Sequence, residues 1–165
     1  MRTFFLIILC TASFVGISQD YQKEINEQLW KPFLKASNEF EGDAFISFNS
    51  KDLTRIAIDQ KIIEDYDQYA KGIIPNFKRL KDEGKVSRKA EMRFITRIST
   101  ADKAYETGYF KSVTKLANGE IRTRYSQFYM VLRKENGSWK ILVDSDTNAG
   151  GSITEEMFLN AQLLE

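Results

Sequence analysis

The spacing of apolar residues changes near Ala90 from the period of a helix to the period of a strand. After this point the chain contains four runs of alternating residues, separated by short polar segments. Two of those segments are Asn118-Gly119 and Asn136-Gly137, and Asn-Gly favours a tight hairpin because both residues accept positive φ. A further turn is predicted at Ala101-Asp102. Successive hairpins predict an antiparallel meander, since parallel strands need longer crossover connections.

The residues before this meander have helical spacing. From Asp20 to Phe40, apolar residues recur at steps of three and four, which predicts an amphipathic helix. Pro32 lacks a backbone donor and is expected to kink it. A second short helix from Asp43 through Phe48 and a strand from Leu53 to Ile58 are predicted to follow.

A third helix is predicted from Tyr66 to Leu80, with an interruption near Gly72 and Pro75. The stretch Ser152-Ile153-Thr154-Glu155 has the pattern of a capping box, so a short C-terminal helix is expected to dock on the domain. We therefore predict an α+β fold. It would have three N-terminal helices packed on a curved antiparallel meander, plus the short C-terminal helix.

The turn positions also predict which residues face each other, because a hairpin loop fixes the register of its strands. Two-residue turns place Tyr109 opposite Phe128, Arg97 opposite Glu106 and Tyr129 opposite Asp144. In this register Tyr105 and Tyr109, the tyrosines of the second run, lie on the apolar face that meets the helices. Glu106 and Asp144 lie on the outer face, where the pair of Glu106 with Arg97 is expected to be a surface ion pair.

Residues 1–18 are typical of a secretory signal peptide. Arg2 precedes an apolar run over 4–15, which is too short to span a bilayer, and small residues precede the expected cleavage site. Residues 19–165 are long enough for one domain with its own core. We expect that domain to be exported, periplasmic or extracellular, and to have no membrane attachment after cleavage.

The composition of the exported part excludes several kinds of chemistry. Removal of residues 1–18 removes Arg2 and Cys10, so the 24 basic residues become 23 and equal the 23 acidic ones, with no histidine. Without cysteine or histidine there is no disulfide, no Ser-His or Cys-His nucleophile and no imidazole ligand for zinc. We expect no metal and no cofactor. The neutral balance also argues against nucleic acid as a partner.

Three stretches resemble the nuclear transport factor 2-like superfamily, which includes ketosteroid isomerases and SnoaL-like polyketide cyclases. "GDAFISFNSKDLTRIAID" is similar to its second helix and first strand, and "DKAYETGYF" and "YMVLRKENGSWKILVDSD" are similar to its last three strands. The hairpin "NGSWKI" also resembles the calcium/calmodulin-dependent kinase association domain. The resemblance covers about residues 20–148. It implies a cone-shaped fold that hosts enzymes, binders and assembly domains.

The resemblance also implies a cavity between the sheet and the helices. We expect Trp30, Tyr66, Tyr69, Tyr105 and Tyr109 to line it, because aromatic rings with polar tips suit a small apolar or aromatic ligand. The alternative is that these rings fill an ordinary core.

Catalysis by this fold needs a carboxyl group inside the cavity. The position of the isomerase base falls near Ala57, which has no acid group, and Asp59 lies two residues further on. Since the predicted inner face carries no carboxyl group, the sequence favours a non-catalytic ligand binder or a dimerising scaffold. The alternative is a cofactor-free isomerase, dehydratase or cyclase that uses Asp59 or Asp144 as general base. We also expect a homodimer through the outer sheet face.

Overall fold

The structure is a computed structural model that describes residues 20–165. The predicted signal peptide at 1–18 lies outside the described residues. Helix α1 covers 20–38, with a π-helical segment at Asn26–Trp30 before the α-helical segment Lys31–Asn38. The other helices are α2 at Gly42–Ser47, α3 at Tyr66–Glu83 and α4 at Glu155–Asn160. The strands are β1 at Asn49–Ala57, β2 at Ile62–Glu64, β3 at Ser87–Ser99, β4 at Lys103–Lys115, β5 at Ile121–Glu135, β6 at Ser138–Thr147 and β7 at Gln162–Leu163.

The strands form one seven-stranded sheet in the order β2-β1-β6-β5-β4-β3-β7. Neighbouring strands are antiparallel except β1 and β6, which are parallel. Helices α1 to α3 pack against one face, and α4 contacts the opposite face, where the Phe158 ring lies 5.9 Å from the ring of Tyr125. The predicted α+β fold with N-terminal helices, a meander and a short C-terminal helix is confirmed. In residues 20–165, no helix combines the length and the apolar character needed to cross a bilayer.

The two prolines affect their helices differently. Pro32 lies at the start of the Lys31–Asn38 segment, directly after the π-helical turn that ends at Trp30. The backbone therefore changes its hydrogen-bonding pattern where Pro32 lacks a donor. In contrast, α3 continues through Pro75, so the predicted interruption of this helix is wrong. Pro75 is exposed, which leaves water to hydrate the carbonyl that loses its partner.

The β5–β6 hairpin confirms one turn and corrects the pairing beyond it. Asn136 and Gly137 have φ values of 49° and 81°, as a type I′ turn requires. Leu132 pairs with Ile141 as predicted, but Leu142 is an extra residue in β6. This bulge shifts the register by one, so Asp144 pairs with Met130 and the predicted pairing with Tyr129 is wrong.

The β3–β4 pair contains a second bulge. Arg97 pairs with Glu106 as predicted, but Ile95 is an extra residue, so Phe94 pairs with Gly108. Arg97 consequently points to the inner face of the sheet, where the helices lie, and the predicted surface ion pair with Glu106 is instead buried.

The turn between β4 and β5 is longer than the sequence indicates. Lys115 and Ile121 form the last pair, which leaves residues 116–120 in the connection. The predicted register, built on a two-residue turn at Asn118-Gly119, is therefore wrong by one residue. A shift of one moves every side chain of β4 to the other face. Glu106 faces inward, and Tyr105 and Tyr109 face outward.

The core lies between the sheet and helices α1 to α3. Aromatic side chains dominate it, and Trp30 is at its centre, with the Phe33 ring at 5.8 Å, the Phe94 ring at 6.3 Å and the Phe128 ring at 6.4 Å. Aromatic pairs at these separations contribute contact energy beyond simple burial. The core thus forms one wall of a cavity between the sheet and the helices.

Candidate functional site

An inner cavity of about 260 Å³ lies between the sheet and the helices. Its walls are mainly aromatic and apolar, and three of its four charged groups lie on β1 and β6. This is the arrangement expected of a small-molecule site, in which a few polar groups orient an otherwise apolar ligand. The lining residues are Phe33, Ser37, Phe45, Arg55, Tyr69, Ile73, Asn76, Phe77, Arg88, Phe110, Ser126, Phe128, Met130, Asp144 and Asp146.

Asp144 is the buried carboxyl group of this cavity. Only 6% of the residue is exposed, and its nearest cation is Arg55, with the Nε atom 3.5 Å from Oδ2. That separation is too long for a strong hydrogen bond, and no other donor contacts the carboxylate within residues 20–165. Burial raises the pKa of Asp144 to about 6, and the nearby Asp146 carboxylate raises it further against the opposing attraction of Arg55.

Arg55 of β1 holds the two aspartates of β6 in place. Its Nη2 donates to Asp146 Oδ2 at 2.8 Å, and its Nη1 donates to the carbonyls of Ile56 at 2.9 Å and Asp144 at 3.3 Å. These bonds use the planar, forked arrangement of the guanidinium N–H groups. Arg55 therefore holds the end of β6 in position and offsets the negative charge of its two aspartates. Burial lowers the pKa of Arg55, but Asp144, Tyr69 and Asp146 together outweigh this effect and raise it, so Arg55 remains a permanent cation.

Tyr69 of α3 completes this polar group. Its ring centroid is 5.6 Å from the guanidinium carbon of Arg55, and the residue lines the cavity. Burial raises the pKa of Tyr69, and the charge of Asp144 raises it further. The phenol therefore stays protonated and can donate a hydrogen bond to a ligand.

An outer cavity of about 570 Å³ adjoins the inner one. Five residues line both: Asn76, Arg88, Phe110, Ser126 and Asp146. The outer cavity differs in character because four of its lining residues are arginines, namely Arg79, Arg88, Arg122 and Arg124. The apolar inner cavity thus continues into a basic outer cavity.

Of the five aromatic residues predicted to line the cavity, the structure places Tyr69 in it. Trp30 is buried behind the wall, and Tyr66 packs against the core with Lys51 Nζ 3.6 Å from its ring centroid. Tyr105 is 41% exposed on the outer face, and Tyr109 lies beside α4 on that face. The placement expected for Tyr105 and Tyr109 is wrong because the register of β4 is shifted.

The two carboxylates considered as general bases occupy different positions. Asp144 enters the inner cavity, so its predicted place on the outer face is wrong. Asp59 lines the outer cavity, where Oδ1 accepts from Thr147 Oγ at 2.7 Å and Oδ2 accepts from the Asn148 amide at 2.7 Å. Both oxygens of Asp59 are thereby engaged in fixing the end of β6, whereas no donor among the described residues hydrogen-bonds to the oxygens of Asp144.

A second buried carboxylate, Glu106, belongs to a different cluster. It is fully buried, and it accepts from Trp30 Nε1 at 2.5 Å and from Arg97 Nε at 2.7 Å. Arg97 Nη2 also donates to Asn26 Oδ1 at 2.6 Å. Burial raises the pKa of Glu106, and Arg97 opposes this. Since the cluster joins α1 to β3 and β4 and does not line the inner cavity, its role is structural.

No metal site is apparent in the part of the chain that the structure describes. Among residues 20–165, acidic side chains do not form a group of three or more able to hold a metal ion.

Comparison with solved structures gives the same architecture repeatedly. A ketosteroid isomerase-like protein from Erwinia carotovora is 16% identical, with a TM-score of 0.56 over 82% of this chain and 95% of that one. A nuclear transport factor 2-like protein of unknown function from Shewanella oneidensis is 17% identical, with a TM-score of 0.60 over 76% and 98%. ActVI-ORFA from Streptomyces coelicolor is 12% identical, with a TM-score of 0.63 over 78% and 95%.

The chain has the nuclear transport factor 2-like fold. At these identities the likeness establishes the fold alone. The sequence itself matches neither a family model nor a curated protein. The chemistry of this nuclear transport factor 2-like domain accordingly depends on the residues of its own cavity.

Adjacent apolar residues are the sequence signal at the two bulges that bring Arg97 and Asp144 inside this nuclear transport factor 2-like sheet. They interrupt the alternation at Phe94-Ile95 and at Ile141-Leu142-Val143, where the extra residues are Ile95 and Leu142. The same signal occurs at Phe128 to Leu132, where β5 has no extra residue, so it does not by itself place Asp144 on the inner face.

Proposed function

We propose that the protein binds a small apolar or aromatic molecule in the inner cavity and transfers a proton with Asp144. The observation that carries this proposal is the position of Asp144, a carboxyl group buried in an aromatic cavity with a pKa raised to about 6. A general base works best when its pKa lies near the working pH, because it is then both ionised and basic. The reaction class is that of a cofactor-free isomerase, dehydratase or cyclase.

The surrounding groups suit proton abstraction from carbon next to a carbonyl. The C–H bond breaks, the proton passes to a carboxylate oxygen of Asp144, and the electron pair becomes an enolate. Arg55 and Tyr69 line the same cavity. The guanidinium charge and the phenol O–H would stabilise the negative charge of the enolate. In a β,γ-unsaturated ketone this enolate is a dienolate, and protonated Asp144 then returns the proton to its γ-carbon while the double bond moves to the α,β position, which completes an isomerisation without any cofactor.

A panel of β,γ-unsaturated ketones tests the proposal, since isomerisation produces a conjugated product with a new ultraviolet absorbance. We expect turnover by the wild-type protein and a loss of about 10²- to 10⁴-fold in Asp144→Asn, the usual contribution of a general base. The rate should rise with pH through about 6 and level off above it, because a base must be ionised and the pKa of Asp144 is raised to about 6.

Two further variants make this test specific. Asp52→Asn removes the same charge at an exposed position that pairs with Arg133, so it should leave the rate unchanged. Asp59→Asn tests the competing base, and a loss in this variant but not in Asp144→Asn would show that Asp59 is the base. If ketones bind equally well to wild type and Asp144→Asn without turnover, the cavity belongs to a non-catalytic binder.

We also propose export of the mature domain, and its association as a homodimer through the outer sheet face. In support of association, Ile98 is 59% exposed beside Tyr105, and Val131 and Val143 continue this apolar stripe across the next strands. Exposed apolar residues of this kind are more typical of an interface than of bare surface. Light scattering at micromolar concentration should give about twice the monomer mass, and a monomer at that concentration would contradict the proposal.

A further inference from the structure

The guanidinium of Arg88 lies between the two cavities without a carboxylate partner. Among residues 20–165, no acidic side chain forms an ion pair with Arg88, and its hydrogen bond is a long one of 3.4 Å to Ser37 Oγ. Its guanidinium carbon lies 4.8 Å from the Phe40 ring centroid and 5.3 Å from that of Phe77. Two aromatic faces thus hold a half-buried cation whose hydrogen-bonding fork is largely unused.

The charges around Arg88 leave the outer cavity basic. Arg79 is paired with Glu83 at 2.9 Å, and Arg122 is paired with Glu120 at 2.7 Å. Arg124, in contrast, has no acidic partner among the described residues. The lining contains two aspartates, of which Asp146 is engaged by Arg55 and Asp59 by hydroxyl and amide donors. Among the described residues, the lining of the outer cavity therefore contains two guanidiniums without an acidic partner, those of Arg88 and Arg124. It contains one carboxylate without a cationic partner, that of Asp59.

An unpaired, half-buried cation carries a desolvation cost, and burial lowers the pKa of Arg88. An oxyanion from a ligand would supply the missing partner with the geometry that a guanidinium prefers. The position of Arg88 adds a constraint on that ligand. Because Arg88 lines both cavities, an anion bound to it leaves the attached apolar part facing the aromatic walls and Asp144.

We propose that Arg88, assisted by Arg124, binds a carboxylate or phosphate group on the ligand whose apolar part occupies the inner cavity. The inference rests on the proposed use of the inner cavity and names its ligand class, a small aromatic or apolar acid or phosphate ester. The anionic group would orient the molecule, so that its apolar part extends into the inner cavity, which Asp144 also lines.

Calorimetric titration with three naphthalene compounds tests the proposal. The probes are 2-naphthoate, 2-naphthyl phosphate and the uncharged 2-naphthylmethanol, which share the ring system and differ in the head group. We expect at least one anion to bind about tenfold to a hundredfold more tightly than the alcohol, the usual effect of a charge-assisted hydrogen bond. Whichever anion binds more tightly identifies the head group.

Variants of neighbouring residues separate a specific site from general attraction. Arg88→Gln should remove the preference for the anions and leave the affinity for the alcohol unchanged. Arg124→Gln, at an exposed position that tolerates substitution, should reduce the preference a few-fold. Lys89→Gln is the matched control, because it removes the same charge from the next residue of β3, whose exposed side chain pairs with Glu91. It should leave all three affinities unchanged.

The outcomes distinguish this proposal from the one on which it rests. Equal affinity for the anions and the alcohol would overturn the anion site and leave the inner cavity as a binding site. If Lys89→Gln loses the preference for anions as much as Arg88→Gln does, the preference comes from overall charge, and the anion site is overturned as well. Binding of none of the three compounds would overturn it together with its premise, whereas proton transfer is judged separately by Asp144→Asn.

Discussion

Replacing Arg97 with methionine is expected to lower the free energy of unfolding by about 3–5 kcal/mol at neutral pH. Arg97 and Glu106 form an ion pair with 2.7 Å between Nη2 and Oε1, and the two side chains are 5% and 0% exposed. Removal of the guanidinium leaves a buried carboxylate whose remaining donor is Trp30. An uncompensated buried charge costs far more than the pair itself contributes.

The double variant Arg97→Met with Glu106→Gln serves as the control. The glutamine carries no charge and still offers an oxygen to Trp30 Nε1, so the double variant should be more stable than Arg97→Met alone. Urea titrations that follow the fluorescence of Trp30 and Trp139 measure both changes. A loss of less than about 1 kcal/mol in Arg97→Met would fit an exposed pair and would contradict the buried arrangement.

The cost of Arg97→Met should also depend on pH. Burial raises the pKa of Glu106, so the folded protein binds this proton more tightly than the unfolded chain does. The stability that comes from neutral Glu106 is therefore present at low pH and is lost as the pH rises through its folded pKa. Removal of Arg97 takes away the group that opposes this rise, so the variant should lose more stability at about pH 8 than at about pH 5.

Replacing Gly108 with alanine is expected to destabilise the protein by about 3 kcal/mol or more, at the upper end of overpacking effects. A Cβ atom at this position would lie 1.9 Å from the carbonyl oxygen of Arg93 and 2.8 Å from Cζ of Phe128. The carbonyl belongs to β3 beside the Ile95 bulge and cannot retreat without disturbing the strand pairing. The space beside Gly108 is thus filled by protein and leaves no room for a ligand.

Gly72→Ala is the matched control for this prediction. Gly72 lies within α3, and a Cβ atom there would have no neighbour within 4 Å. The same substitution should therefore stabilise the protein by up to about 1 kcal/mol, the difference in helix propensity. Thermal unfolding of the two variants should move in opposite directions. If Gly108→Ala unfolds at the same temperature as the wild type, the pairing of Gly108 with Phe94 between β4 and β3 is contradicted.

Local patterns in the sequence determined the elements and their order. The three-and-four spacing around Phe33 predicted a helix, and the alternation after Ala90 predicted strands. The Asn136-Gly137 dipeptide predicted the two turn residues of the last hairpin. These signals are short-range, because a turn dipeptide or a helical face needs only its own neighbours. The resemblance of local stretches then predicted the nuclear transport factor 2-like fold, which the structure confirms.

The tertiary structure alone decided which carboxyl groups are inside. One extra residue, Leu142, places Asp144 in the cavity and not on the outer face. A register shift of one residue at the turn before Ile121 places Glu106 on the inner face and Tyr105 on the outer face. Side chains in a strand alternate faces, so a shift of one residue reverses every assignment beyond it. The energy that selects the register comes from packing of the whole sheet against the helices, including the contacts of Trp30 with Glu106 and Phe128. These partners are far apart in the chain, so the site was settled by long-range packing that no local pattern records.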